Sequence, residues 1–222
     1  MWNQYYRINL TDQEIQRGSH RNQIGGKWNE IGELQFRFMK EQGLQPDHEL
    51  LDIGCGSLRG GIFFIEYLNE GKYSGLDLNS SLIKAGQSEI KKAGLMSKKP
   101  TLLVNDSFHF NLFKKKFDYA IAQSVFTHLP VNVIQRCLIH LEQVLNPGGK
   151  FYATFFETES KFHVDPVNQP NSGGVVTKID SDPYHYHISL FEYLIEGSSL
   201  QMEYIGDWGH PRNQKMISFS KI

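Results

Sequence analysis

The segment Leu51-Asp52-Ile53-Gly54-Cys55-Gly56-Ser57-Leu58-Arg59-Gly60-Gly61 carries the most chemistry in this sequence. Glycines in a turn between a strand and a helix let a ligand approach the backbone, and the start of the helix offers unpaired N–H groups. The turn does not suit a dinucleotide pyrophosphate. The G-x-G-x-x-G spacing needs glycine at position 59, where Arg59 stands. Asp52, two residues before Gly54, would repel a phosphate and attract an ammonium or sulfonium group. About 20 residues further on, Tyr73-Ser74-Gly75-Leu76-Asp77-Leu78 ends a second strand on an acid, the position from which a carboxylate accepts hydrogen bonds from a ribose. Together these features suit a nucleoside with a charged amino-acid tail, as in S-adenosylmethionine.

The candidates for proton transfer are histidines. His128, in Ser124-Val125-Phe126-Thr127-His128-Leu129, follows a strand at the edge where open α/β sheets bind ligands. It is a candidate general base; its plain alternative is to pack or cap the helix beginning beside Pro130. Of nine histidines, four fall after residue 156: His163, His185, His187 and His210. His185 and His187 are two apart, so they point to opposite sides of a strand and share no helix face, and one of them is expected in an acceptor pocket. Asp182 reads as a helix cap. His210-Pro211-Arg212 lies in a connecting loop, with Trp208 available to close a pocket and Arg212 to pair with an acidic group. His163 and Asp165 with His185 or His187 match no recognised ligand spacing, so no metal site is expected. His20-Arg21 reaches a site only if the N-terminal segment folds over it; otherwise that segment is a loose leader.

The elements that must position these groups read as an alternation of short apolar runs and amphipathic segments. Strands are expected at Glu49–Ile53, Tyr73–Leu78, Thr101–Val104, Phe117–Gln123 and Lys150–Phe156. Helices are expected at Lys27–Gln42, Leu58–Leu68, Ser80–Ala93 and Val131–Leu145. This pattern gives a parallel sheet covered on both faces. It breaks at Glu157–Pro183, a polar stretch long enough to be functional. Tyr186–Gly197 reads as a helix. Gln201–Ile205 and Lys215–Ser220 read as antiparallel strands, since their link is too short for a crossover.

Composition sets the outer limits. The 222 residues carry 23 Lys+Arg against 24 Asp+Glu, a net charge of -1, which argues against a nucleic-acid or membrane-surface partner. The lysine pairs and Lys114-Lys115-Lys116 read as solvated faces. No apolar stretch approaches a membrane span, and Met1–Leu10 does not read as a signal peptide. The two cysteines, Cys55 and Cys137, imply a reduced, cytoplasmic protein without disulfides or a thiolate metal site. Aromatics are dense around residues 151–156 and 184–186, and about half are expected to be core, the rest to face a ligand.

In order and spacing, LDIGCG (51–56), YSGLDL (73–78), NDSF (105–108), FDYAIAQSVFTHL (117–129) and LNPGGKFYATFF (145–156) resemble the class I S-adenosylmethionine-dependent methyltransferases, in a form similar to bacterial small-molecule enzymes. The resemblance implies an α/β, Rossmann-like fold with a seven-stranded, mostly parallel sheet and an antiparallel C-terminal strand pair. It implies S-adenosylmethionine as cofactor, S-adenosylhomocysteine as product, and a cofactor site of Asp52, Gly54 and Gly56 at the methionine end with Cys55 and Arg59 beside them. Asp77 and Leu78 would then lie at the ribose, Asp106 and Ser107 at the adenine edge, and Gln123 and Ser124 after the fourth strand. Many members have a third glycine where Leu58 stands, and Leu58 would instead pack against the cofactor. Residues 1–45 are expected as a helical cap and 46–222 as the methyltransferase domain, with a lid-like loop at 157–183. The acceptor implied is a small polar molecule methylated at oxygen, such as a sugar or secondary metabolite; nitrogen and sulfur acceptors stay open. Catalytic candidates are His128, His185, His187 and His210, in a monomer or homodimer with no nucleic-acid or membrane partner. Two rivals are a methyltransferase of a protein or lipid-linked glycan and a non-catalytic S-adenosylmethionine-binding module.

Overall fold

The apolar runs and their amphipathic neighbours fold as strands and helices in a computed structural model that describes residues 3–161 and 164–222. They fall into two compact units, Tyr5–Asp106 and Ser107–Ile222 with Asn3 and Gln4.

The first unit opens with three helices, α1 (Asp12–Arg17), α2 (His20–Gln23) and α3 (Trp28–Glu41). A capping box starts α1: Glu14 N–H donates to Thr11 Oγ1 at 3.3 Å and the Thr11 N–H donates to Glu14 Oε2 at 2.8 Å. Ile31, Leu34, Phe38 and Met39 form the buried stripe of α3. Then β1 (Leu50–Ile53), α4 (Gly61–Tyr67), β2 (Tyr73–Asp77), α5 (Ser80–Lys92) and β3 (Thr101–Val104) alternate. Both pairings are parallel, with Asp52 beside Gly75 and Asp77 beside Val104. The registers place Asp52 and Asp77 at the same, carboxyl edge of the strands. Asn79 starts α5, its side-chain oxygen accepting from the Ser81 and Leu82 N–H groups.

The second unit contains β4 (Phe117–Ala122), α6 (Val131–Val144), β5 (Leu145–Glu157), β6 (Val167–Asn168), β7 (Val176–Thr177), β8 (His185–Tyr186), α7 (Ser189–Leu194), β9 (Leu200–Gly206) and β10 (Lys215–Lys221). β4 and β5 are parallel; β10 runs antiparallel to both β5 and β9. Phe191 of α7 packs its ring against Phe126, Phe155, Tyr186 and Phe219. Each such ring removed from water contributes about 1.5–3 kcal/mol, which is why so short a helix stays docked.

Every strand read from the sequence is present, and the fold class is α/β, mostly parallel with an antiparallel C-terminal pair. Three local expectations are corrected. The helix expected from Tyr186 begins only at Ser189, because His185 and Tyr186 pair in parallel with Phe156 and Glu157 as β8. The fifth strand begins at Leu145: the Asn146-Pro147-Gly148-Gly149 turn sits inside it as a bulge, between the pairs Phe117–Leu145 and Tyr119–Lys150. A Cβ on Gly149 would lie 2.8 Å from the Asn146 carbonyl oxygen, so only glycine fits that crossing. Finally, the aromatics Phe151, Tyr152, Phe155, Phe156, Tyr184 and Tyr186 are all buried, where half were expected to face a ligand. Within the polar stretch 157–183, β6 and β7 form a hairpin closed over Gln169, whose amide donates to the Glu157 carbonyl and to Thr177 Oγ1.

Candidate active site

The glycine turn is built on alternating left-handed residues: Gly54 at φ 67°, Gly56 at φ 55° and Leu58 at φ 73°. Gly54 and Cys55 N–H groups both donate to the Leu76 carbonyl, at 2.8 and 3.0 Å, which fastens the turn to the end of β2. The left-handed region disfavours a β-carbon, so glycine suits 54 and 56. Leu58 is held there by packing: its side chain is fully buried and fills the space left by Gly61 and Gly86, whose absent Cβ atoms would lie 2.7 and 2.9 Å from it. Leu58 therefore supports the turn from below, against α4 and α5, and is not the cofactor-facing residue expected from the sequence.

Asp77 accepts from Gly56 N–H at 2.9 Å through one oxygen and from Asn79 N–H at 2.8 Å through the other. A carboxylate has about four acceptor positions, so each oxygen can take a further hydroxyl, as a ribose 2′,3′-diol offers. Asp52 accepts from the Tyr73 hydroxyl at 2.6 Å. Glycine at 61 permits that bond, because a Cβ there would sit 2.5 Å from the Tyr73 oxygen. Burial raises the Asp52 carboxyl to about 7, with the neighbouring Asp77 adding to the rise and Tyr73 and Arg59 opposing it. Burial likewise raises Asp77 to about 6, against the two backbone N–H donors. Two buried acids held near neutrality are positioned to gain from a cationic, hydroxyl-bearing ligand.

Cys55 is buried, and desolvation pushes its thiol well above the ordinary value, so it lines the turn without being a nucleophile. Arg59 is also buried, and its guanidinium donates to the carbonyls of Ile24 and Gly26, both at 3.0 Å. It thereby fastens the segment before α3 to the turn. Leu78 follows Asp77 at the strand end. Asp106, which closes this unit, is exposed and accepts from the Tyr6 hydroxyl at 3.1 Å. The N-terminal segment is thus no loose leader. Tyr6 meets Asp106, the Asn79 amide donates to the carbonyls of Tyr5 and Ile8 at 2.8 Å, and His20 packs against the turn through Ser57. Tyr6, Asn79, Ser57 and Tyr73 carry no sequence signal of their own; each acquires its position through a partner distant in the chain.

The second unit holds the other candidates. After β4, Ser124 adopts φ 57°. Its N–H donates to Thr154 Oγ1 at 2.6 Å and its hydroxyl to Gln214 Oε1 at 2.9 Å, bonds that hold a conformation costing about 1–2 kcal/mol. The Gln123 amide lies 3.1 Å from His210 Nε2, and His210 Nδ1 accepts from Arg212 N–H at 3.2 Å. The Gln123 side-chain nitrogen that meets His210 also donates to Ser124 Oγ at 2.6 Å. Trp208 stacks on His210 with ring centroids 5.5 Å apart, and its indole N–H donates to the Gln214 carbonyl at 3.0 Å. His210 is thereby a strut of this network, engaged at both nitrogens.

His128 ends the short turn Phe126–His128, and its Nδ1 lies 2.5 Å from Asp182 Oδ1. The other Asp182 oxygen accepts from Gln4 N–H at 3.1 Å. Asp182 thus caps no helix; it orients a histidine. His185 is buried with Nδ1 2.8 Å from Thr177 Oγ1, inside the hairpin network. His187 Nδ1 accepts from Ser189 N–H at 3.2 Å and lies 2.8 Å from the Ser189 hydroxyl, at the start of α7. Ser107 begins this unit and is half-buried. His163 lies outside the described residues, and among those described no group of three His, Cys, Asp or Glu side chains is placed to hold a metal ion.

Comparison with known proteins bears on the domain and its fold. Residues 51–151 match the family model described as a methyltransferase domain. An uncharacterized protein of Methanocaldococcus jannaschii is 30% identical over 104 residues, covering 46% of this chain; the chain spans only 27% of that relative's length. Among solved structures, magnesium protoporphyrin IX methyltransferase from Synechocystis with bound S-adenosylmethionine aligns at TM-score 0.64 and 13% identity, over 99% of this chain and 88% of that one. An amino pentose methyltransferase from Micromonospora echinaspora, also with S-adenosylmethionine, aligns at TM-score 0.65 and 15% identity, over 97% and 100%. Residues 51–151 thus match a methyltransferase domain, and the chain shares the fold of these S-adenosylmethionine-bound methyltransferases. Among the described residues no helix is long and apolar enough to cross a membrane.

The raised carboxyls give a test by pH. An acid whose folded value lies above its unfolded one favours the folded state when protonated, so its contribution is full below about 4 and is lost as pH rises through the folded value. For Asp52 that window runs from about 4 to about 7. Asp52→Asn, neutral throughout, should gain thermal stability relative to the wild type as pH rises from 5 to 8, while binding S-adenosylmethionine less well. Parallel melting curves for the two apo proteins across that range would contradict a buried, titrating Asp52.

Proposed function

We propose that the chain transfers the methyl group of S-adenosylmethionine to a hydroxyl oxygen of a small polar molecule, a sugar or other secondary metabolite. The observation that carries this reading is the His128–Asp182 pair. The cofactor supplies a methyl already activated on a sulfonium, so an acceptor that is ionised or has a free lone pair needs chiefly orientation. A hydroxyl is a poor nucleophile until its proton is removed, and a carboxylate-oriented imidazole is suited to remove it. Asp182, accepting from Nδ1–H, leaves Nε2 as the basic nitrogen of His128.

In this reading Asp77 holds the ribose hydroxyls, Asp52 faces the cationic end of the cofactor, and the glycine turn admits the methionine backbone. Asp106 and Tyr6 meet the adenine edge. Residues up to 45 cap the cofactor turn, and 157–183 acts as the lid that brings Asp182 to His128. His185, His187 and His210 serve as supports. The two buried thiols, free in the structure, suit a reducing cytoplasm; the assembly is a monomer or homodimer.

The reading is tested by incubating the protein with S-adenosylmethionine and separate panels of hydroxylated, amine and thiol-bearing small molecules, then a peptide pool and lipid-linked glycans, each read by mass spectrometry. A one-methyl mass gain confined to hydroxylated small molecules supports it. A gain among amines, thiols, peptides or glycans alone would replace it.

A further inference from the structure

His20 is fully buried in α2 and belongs to neither the acceptor chemistry nor the direct cofactor contacts. Its ring joins two structures. Nδ1 lies 3.0 Å from Ser57 Oγ, and Nε2 lies 3.1 Å from Glu89 Oε1 on α5. The second contact has the spacing of an ion pair without the alignment of a hydrogen bond. The edge of the ring meets Trp28 at 5.7 Å between centroids, while Arg21 lies over the same Trp28 and reaches Glu89 at 2.7 Å. Glu89 is itself buried and also lies 3.9 Å from Lys92. A histidine placed so completely inside, between a carboxylate and a serine, is more constrained than a packing residue needs to be.

What it touches gives the constraint a purpose. Ser57 sits between Gly56 and Leu58, both left-handed, in the turn whose Gly56 N–H holds Asp77. Ser57 is fully buried, so its hydroxyl must find its partner in the protein. Beside a carboxylate, Nε2 keeps the ring proton and Nδ1 accepts from the Ser57 hydroxyl. Desolvation by burial holds His20 below its ordinary value, against the pull of Glu89 and with help from Arg21 and Lys92, which keeps the ring in this neutral form.

We propose that His20 is a positioning residue for cofactor binding: through Ser57 it fixes the glycine turn, and through Glu89 it makes the turn's geometry depend on the docked N-terminal segment. The proposal rests on the assignment of that turn to the cofactor. A protein lacking this link would bind the cofactor in a turn free to relax, and would lose affinity without losing its fold.

The test is a double-mutant cycle read by calorimetric titration of the full chain with S-adenosylhomocysteine, using Ser57→Ala, His20→Ala and the pair, with Asp77→Ala as control. Each single change is expected to weaken binding several-fold, up to about tenfold, the worth of one hydrogen bond. The pair should be no weaker than the worse single variant, because one link is being cut twice. Steady-state assays with an acceptor found by the mass-spectrometric screen should show a raised KM for S-adenosylmethionine at unchanged kcat. Losses that multiply, or Ser57→Ala binding as the wild type does, would overturn the proposal. The Ser57→Ala arm decides the matter even if His20→Ala fails to fold, since it removes only one oxygen. If Asp77→Ala also binds normally, the assignment of the turn to the cofactor fails; if Asp77→Ala loses binding while Ser57→Ala keeps it, only the role of His20 fails.

Discussion

Asp77→Ala is expected to weaken S-adenosylhomocysteine binding by about 100-fold or more while leaving the protein folded. Two losses combine. Hydrogen bonds to an ionised carboxylate are worth about 1.5–3 kcal/mol each, and a ribose diol offers two. In addition Gly56 N–H, 2.9 Å from the carboxylate, loses the acceptor that shapes the turn. The fold should survive, because burial raises the carboxyl to about 6, so the ionised group is a liability to the apo protein at neutral pH. Asp77→Asn separates the two effects. It keeps one carbonyl oxygen for a donor but brings an NH₂ group against either the Gly56 or the Asn79 N–H, so it should bind between wild type and Asp77→Ala. Its apo melting temperature at pH 8 should equal or exceed that of the wild type. Calorimetry and thermal melts of the three proteins check this. Undiminished binding by Asp77→Ala would remove the ribose role and with it the orientation assigned to the cofactor.

The parts of this site that were legible in the sequence are local. Asp52, Gly54, Gly56 and Asp77 announce themselves because strand ends and glycine turns are defined within a few residues, and parallel pairing brings the strand ends to one edge. The partners were not legible because they are chosen by folding. Tyr6 meets Asp106 across 100 residues, Asn79 meets Tyr5 across 74, His20 meets Ser57 across 37 and His128 meets Asp182 across 54. Nothing in their spacing records this. Asp182 was misread for a related reason: a lone acid before a short helical pattern looks like a cap, and only β8 pairing with β5 moves the helix start to Ser189 and frees the acid for His128. Leu58 shows the converse. Its departure from glycine is visible in the sequence, but the two glycines that accommodate it, Gly61 and Gly86, matter only once α4 and α5 are packed. The general class of the domain is therefore written in short motifs, whereas the partners of the candidate site residues are set by long-range contacts.

His128→Ala is expected to lower kcat by about 10²–10⁴-fold, the range for loss of a general base, with S-adenosylhomocysteine affinity unchanged. The split matters more than the size. A residue that merely packed the turn after β4 would alter folding or both parameters together, whereas a base acts on the transition state alone. Asp182→Asn should also lower kcat, though by less: the carboxamide can still accept from Nδ1–H through its oxygen, but it no longer stabilises the imidazolium that forms as the hydroxyl proton is taken. The Gln4 N–H that Asp182 also accepts, at 3.1 Å, loses its acceptor in that variant, because the NH₂ group then faces it, so part of the loss reflects a less firmly held side chain. His210→Ala provides the contrast. It removes a strut between Gln123 and Arg212, so it should lower thermal stability and depress kcat only modestly. Single-turnover rates with the acceptor found by mass spectrometry measure all three. Should His128→Ala turn over at the wild-type rate, no base is required, and the acceptor atom must then be one that arrives already nucleophilic, a carboxylate, thiolate or free amine. That outcome would overturn the hydroxyl assignment while leaving the match to a methyltransferase domain untouched, because that match covers residues 51–151 as a whole and does not depend on the role of His128.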